Sequence, residues 1–284
     1  MKKGQTTIFI IIAIVIVAVI VFFIIYNNSN PDDISTLSFK KQTEIIDNQV
    51  RDCFEELHKE AINTVSLQGG YFYEPLSMYL KNDLNSIPFY YFGELEYIPE
   101  IILIQEQIAL YIDSKKNNCF ELIDTDIVEY DYSYSLSNIS ISEGNINIIN
   151  NLNLILTQDN STNIIDFSDS TINIKSKLYG INSLASYIAF SYDINKESVC
   201  ISCIQEIAID YELIVEFDDS LNNMLIVTIY DIKEENYPRF YNFALSATKD
   251  LEEINMLPVE NNINYENDPS DFELNFNVSS FNEQ

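Results

Sequence analysis

Residues 146–156 read INIINNLNLIL. Apolar and polar side chains largely alternate along this run, the period of two that sets one face of a strand on a core and the other in water. The same texture recurs at Ile127 to Tyr134, Ile139 to Ser142 and Ile172 to Leu178, with Gly144 and clusters of Asn, Asp and Ser as punctuation. Tyr211 to Phe217, Met224 to Tyr230 and Phe240 to Ala247 predict a second strand set. Asp218 to Asn223 reads as a hairpin loop between its first two members. Between the sets, Leu184, Ile188 and Tyr192 fall on one side of a helix over 181–192. Residues 123–248 are therefore expected to form an α+β domain with a mostly antiparallel sheet.

Upstream, residues 38–122 read as a helical part. From about Lys41 to Leu67 a helical stripe runs through Ile46, Val50, Cys53, Phe54, Leu57, Ala61, Thr64 and Val65, and Gly69 and Gly70 stop it. Pro99 opens a second helix through about Asp113, with Glu100 suiting the helix dipole. The aromatic run from Tyr71 to Tyr97 is expected as an irregular lobe packed over the two helices, with an aromatic ligand cleft as the alternative. Downstream, residues 249–284 hold nine Asp or Glu against one Lys, which predicts an acidic, mobile tail.

Residues 8–26 read IFIIIAIVIVAVIVFFIIY without a charge. As a helix they span about 28 Å, the thickness of a bilayer's hydrocarbon core, and are expected to cross a membrane. A cleaved secretory signal would carry an apolar region of about 7 to 15 residues and a small-residue cleavage site. This stretch is longer, and Asn27 to Pro31 follow it as the start of a polar linker over 27–37. Lys2 and Lys3 keep residues 1–7 in the cytoplasm by the positive-inside rule, so everything after Tyr26 is expected outside the cell membrane.

Charge narrows the function classes. The 284 residues include 44 acidic and 15 basic side chains, a net charge of −29. The basic patch that phosphate backbones require is missing, so no nucleic-acid partner is expected. With 47% hydrophobic residues the chain has material for a core, and its acidity is the skin of a folded protein. Export agrees with four Asn-x-Ser/Thr sequons, at Asn27, Asn138, Asn160 and Asn277, which are candidate N-glycosylation sites. The even set of four cysteines agrees as well.

Few residues carry chemistry. His58 is the single histidine, and its place one position after Leu57 predicts a surface or boundary residue. G-x-S-x-G, H-E-x-x-H and phosphate-binding glycine loops are missing, so no catalytic residues, metal or cofactor are assigned. Cys200-Ile201-Ser202-Cys203 is a C-x-x-C, expected as a structural disulfide, with a redox pair or free thiols as alternatives. Its following residues are ambiguous between helix and strand. Cys53 and Cys119 are expected to pair with each other and tie the two helices together, though four cysteines allow three connectivities. Asp166 to Asp169 and Asp218-Asp219 lack the spacing of a calcium loop and read as solvated turns.

Two resemblances bear on architecture. Lys2-Lys3-Gly4-Gln5-Thr6-Thr7 followed by the apolar run resembles the class III signal segment of archaeal type IV pilin-like proteins. It implies cleavage between Gly4 and Gln5 with the apolar helix retained. Phe9 stands where those proteins commonly carry an acidic residue. The order of Cys53, Leu67 to Tyr71, Ile87 to Tyr91, a helix ending near Tyr111 and Cys119 is similar to a group of membrane-anchored proteins of small-genome archaea. That similarity covers roughly residues 1–122 and implies architecture without catalytic residues. The expectation is a non-enzymatic, single-pass surface protein engaged in adhesion or contacts with other envelope or cell-surface proteins. A pilin-like filament subunit and a membrane-tethered thiol-disulfide oxidoreductase using Cys200 and Cys203 are the alternatives.

Overall fold

The computed structural model describes residues 37–73, 79–81, 86–194, 198–219, 224–231, 233 and 237–247. The expected membrane helix over 8–26, Gly4 and Gln5, the sequons at Asn27 and Asn277, the linker up to 36 and the tail over 249–284 lie outside the described residues. Among the described residues no helix is long and apolar enough to cross a membrane.

Helix α1 (Phe39–Leu67) carries the expected stripe, with Ile46, Val50, Phe54, Leu57, Ala61, Ile62 and Val65 buried. It ends at two glycines with positive φ, +56° at Gly69 and +84° at Gly70. The Gly70 amide donates back to the Val65 carbonyl at 2.8 Å. Conformation and space both exclude a side chain here. A Cβ at Gly69 would stand 2.6 Å from the Asn242 carbonyl oxygen, and one at Gly70 would stand 2.9 Å from Ile104 Cγ1.

The segment after the glycines corrects the expectation of an irregular lobe. It forms β1 (Tyr79–Lys81), β2 (Ser86–Phe92) and β3 (Leu95–Glu96), and all seven residues of β2 are buried. A strand covered on both faces needs no alternation, so its aromatic run carries no period-two signal. Helix α2 (Ile101–Lys115) follows, with Glu100 as its N-cap, and a single turn α3 (Asn117–Phe120) brings the chain back to α1.

The alternating region forms a four-stranded antiparallel sheet. Strands β4 (Glu129–Ser142) and β5 (Asn145–Gln158) make a long hairpin turned at Gly144. The far edge of β5 is shared by β6 (Ser161–Asp166) along its second half and β7 (Thr171–Lys175) along its first. The polar run expected as punctuation after Gln158 is thus strand β6. Strand β7 stops at Lys175, and Leu178 opens helix α4 (Leu178–Ile194) with its amide on Ser176 Oγ at 3.0 Å.

Helix α5 (Ile201–Asp210) begins in the C-x-x-C. It leads into β8 (Leu213–Asp218), β9 (Met224–Asp231) and β10 (Phe240–Ser246), which pair antiparallel in the order β8, β9, β10. Strand β10 then pairs with β2 in parallel, Ala244 opposite Phe89 and Ser246 opposite Phe92. The class is α+β with mostly antiparallel pairing and this one parallel junction among the described strands. A single cluster of buried side chains joins Phe54 of α1, Tyr90 of β2, Leu154 of β5, Ile188 of α4 and Val227 of β9, from both sides of residue 122.

Candidate functional site

All four cysteines are paired, Cys53 with Cys119 and Cys200 with Cys203. The two bonds sit in opposite settings. Cys53–Cys119 joins α1 to α3 across a sequence separation of 66, and Cys119 is 1% exposed. Beside it Phe120 stacks on Tyr132 at 4.4 Å and meets Phe54 edge-on at 6.1 Å. Arg51, two residues before Cys53 on α1, lies over the Phe167 ring at 4.5 Å and donates to Ser170 Oγ and the Asp166 carbonyl. The middle of α1 is held by a covalent bond, aromatic contacts and a guanidinium together.

Cys200–Cys203 is exposed and spans a separation of only three residues. Cys200 is the N-cap of α5, and its Sγ accepts the Cys203 amide at 3.4 Å. Ser202 Oγ stands 3.6 Å from the same sulfur. The first turn of α5 carries no acidic residue. The ambiguity after Cys203 resolves as helix because Ile204 and Ala208, one turn apart, are the buried positions of α5.

His58 is a correction. It is fully buried on α1 and faces β5, where Nε2 lies 3.0 Å from Asn150 Oδ1. Ser137 Oγ donates to the same amide oxygen at 3.0 Å. Strand β4 bulges at this point: Ser135 opposes Asn151 and Asn138 opposes Ile149, so Leu136 and Ser137 together face Asn150. The bulge turns Ser137 inward to Asn150. Burial lowers the His58 pKa to about 4, against the Asn150 hydrogen bond and the Glu55 carboxylate, which both pull it up. The expectation of a surface position failed because Leu57 and His58 both belong to a stripe wide enough for α2, α3 and the sheet. The signal for Asn150 was present: it is the one polar residue among the even-numbered positions from 146 to 156, the face that β5 buries.

A second buried polar group joins the two halves of the core. Tyr90 OH donates to the Gly69 carbonyl at 3.0 Å and is hydrogen-bonded to Tyr241 OH, which reaches Asn182 Oδ1 at 3.3 Å. Burial pushes both phenols well above the usual tyrosine range. They stay protonated and serve as hydrogen-bonding struts between β2, β10, α4 and the α1 terminus.

The remaining expected sites are on the surface. The sequons at Asn138 and Asn160 are exposed, the first in β4 and the second in the turn between β5 and β6. At Asp166 one carboxylate oxygen accepts the Ser168 amide and hydroxyl, a closed turn in the expected manner. Among the described residues no cluster of three or more His, Cys, Asp or Glu is placed to hold a metal. An open groove of about 610 Å³ lies between the start of α1 and β6, lined by Phe39, Thr43, Asp47, Thr162 and Ile165 among others. Helix α4 shows Tyr179, Tyr187 and Phe190 to solvent along one side. No protein-family model, curated protein or solved structure matches this chain.

Proposed function

We propose that this chain is a single-pass, extracytoplasmic membrane protein, anchored by residues 8–26, whose α+β domain contacts other envelope or cell-surface proteins. The observation that carries the reading is the pairing of all four cysteines in two disulfides. Disulfides persist in oxidising compartments, and the uncharged apolar run with its two leading lysines supplies the route out. The interaction part draws support from α4, where Tyr179, Tyr187 and Phe190 stay in water. Aromatic side chains of this kind are enriched in the cores of protein interfaces. The test is protease treatment of intact cells, followed by alkaline extraction of the membranes. Loss of the domain from intact cells, with the remaining stub retained in the alkali-washed membrane, is expected. A domain that is protected until the cells are opened overturns the reading.

A second reading draws on Gly4 and Gln5. The segment before the apolar run resembles a class III signal, so a filament subunit processed after Gly4 is the alternative. Intact mass and N-terminal sequencing of the extracted protein separate the two. A chain beginning at Gln5 and recovered in high-mass polymers from sheared cell surfaces favours the filament; one retaining Met1 or Lys2 favours the simple anchor.

A further inference from the structure

The two disulfides of this chain divide the possible uses of a disulfide between them. In the chain-entropy account a cross-link stabilises more as the loop it closes lengthens. Cys53–Cys119 closes the long loop with Cys119 buried in the core and Cys53 half-buried against it, whereas Cys200–Cys203 closes the short one and stands in solvent at both cysteines. The bond that constrains the chain least is the one more open to an attacking thiol.

Its surroundings favour one particular product of opening. A thiolate on Cys200 would sit at the N-cap of a ten-residue helix, where the unpaired amides and the helix dipole favour negative charge. The Cys203 amide already points at that sulfur at 3.4 Å, and the Ser202 hydroxyl lies at 3.6 Å. In a chain of net charge −29, the first turn of α5 is free of the carboxylates that would oppose a thiolate. Ile201, between the cysteines, is exposed and offers an apolar contact to an incoming chain.

We infer that Cys200–Cys203 is a thiol-disulfide exchange site that oxidises dithiols in cysteine-bearing polypeptides, while Cys53–Cys119 is inert. A substrate thiolate attacks Cys203 Sγ, a new bond forms between those two sulfurs, and the Cys200–Cys203 bond breaks with its electron pair leaving on Cys200. A low-pKa thiol leaves fastest, and Cys200 is the sulfur whose charge the helix stabilises. The substrate's second thiolate then attacks its own first sulfur, closing the substrate disulfide and expelling Cys203. Of the two protons the substrate gives up, one ends on Cys203 and the other in solvent, and the cysteine pair has gained two electrons.

The inference goes beyond the anchored-interaction reading, and its test reads thiol chemistry whatever the topology. The full chain, extracted in detergent, is equilibrated in graded mixtures of reduced and oxidised dithiothreitol, and each cysteine is quantified by alkylation and mass spectrometry. Cys200 and Cys203 are expected to open at a reduced-to-oxidised ratio at least tenfold lower than Cys53 and Cys119 require. The freed Cys200 is expected to alkylate with a pH midpoint at least one unit below the ordinary thiol value of about 8.5. The oxidised chain should convert a reduced two-cysteine peptide to its disulfide, and Cys203→Ser should abolish that conversion. Pairs that open together, an ordinary Cys200 midpoint, an unreacted peptide, or a Cys203→Ser chain as fast as the parent would each overturn the inference.

Discussion

His58 Nε2 lies 3.0 Å from Asn150 Oδ1, and the ring has no second hydrogen bond, because buried Nδ1 is without a partner. An amide oxygen only accepts, so the ring carries its proton on Nε2 and presents a bare lone pair at Nδ1 to an apolar wall. Phe54 lies against it, with ring centroids 6.0 Å apart. Protonation would place a charge in this buried site that the Asn150 hydrogen bond and the Glu55 carboxylate only partly offset, which is why burial dominates the pKa.

Stability is therefore expected to fall with pH in a defined window. The folded-state pKa of about 4 lies below the ordinary histidine value of 6.5, so the unfolded chain takes up the proton first as pH drops. The contribution of neutral His58 is complete above pH 6.5 and is lost progressively down to about pH 4. At about 1.4 kcal/mol per unit this amounts to about 3 kcal/mol. Chemical denaturation at half-unit steps between pH 7 and 4 should show this slope in the parent and a shallower one in His58→Leu; parallel slopes would refute it.

Asn150 holds two donors at once, from α1 and from the β4 bulge. Asn150→Leu leaves the Ser137 hydroxyl and the His58 N–H buried together without their acceptor. A loss of about 2 to 4 kcal/mol is expected in the urea midpoint, larger than for removal of either donor alone. Ser137→Ala removes one donor and is expected to cost about 1 kcal/mol.

Tyr90 and Tyr241 act as a pair. Tyr241→Phe takes the hydroxyl from between Tyr90 and Asn182, and Tyr90→Phe strips the Gly69 carbonyl of its side-chain donor. Each single change is expected to cost about 1 to 3 kcal/mol. The double variant should cost less than the sum, since the groups share one network, and a double-mutant cycle in guanidinium measures the coupling.

Replacing Cys53 and Cys119 with Ala releases a loop of separation 66 and exposes the join between α1 and α3. A loss of about 4 kcal/mol is expected, read as a lower midpoint in denaturant. The same replacement at Cys200 and Cys203 should move the midpoint far less, since the loop it closes is so short.

Much of the fold was legible wherever one face of an element meets water. The stripe of α1, its glycine stop and the alternation over 146–156 were readable because half-buried elements print their period on the chain. Strand β2 was not, since Ser86 to Phe92 are buried on both sides and have no period to print. Strand β6 was missed for the opposite reason: Ser161 to Ile164 are all exposed, and only Ile165 faces the core. Of the candidate site, the C-x-x-C was visible as a motif, but its helix N-cap and its exposure were not.

The sequence by itself determined the elements with a wet and a dry face, the acidic surface and the cysteine inventory, because these depend on neighbours a few residues away. The tertiary structure decided the rest. It alone joins β2 to β10 across some 150 residues, buries His58 against Asn150, and sets one disulfide against the core and the other in solvent. Those outcomes depend on which surfaces meet when the chain closes on itself, and contacts between distant residues leave no local period to read.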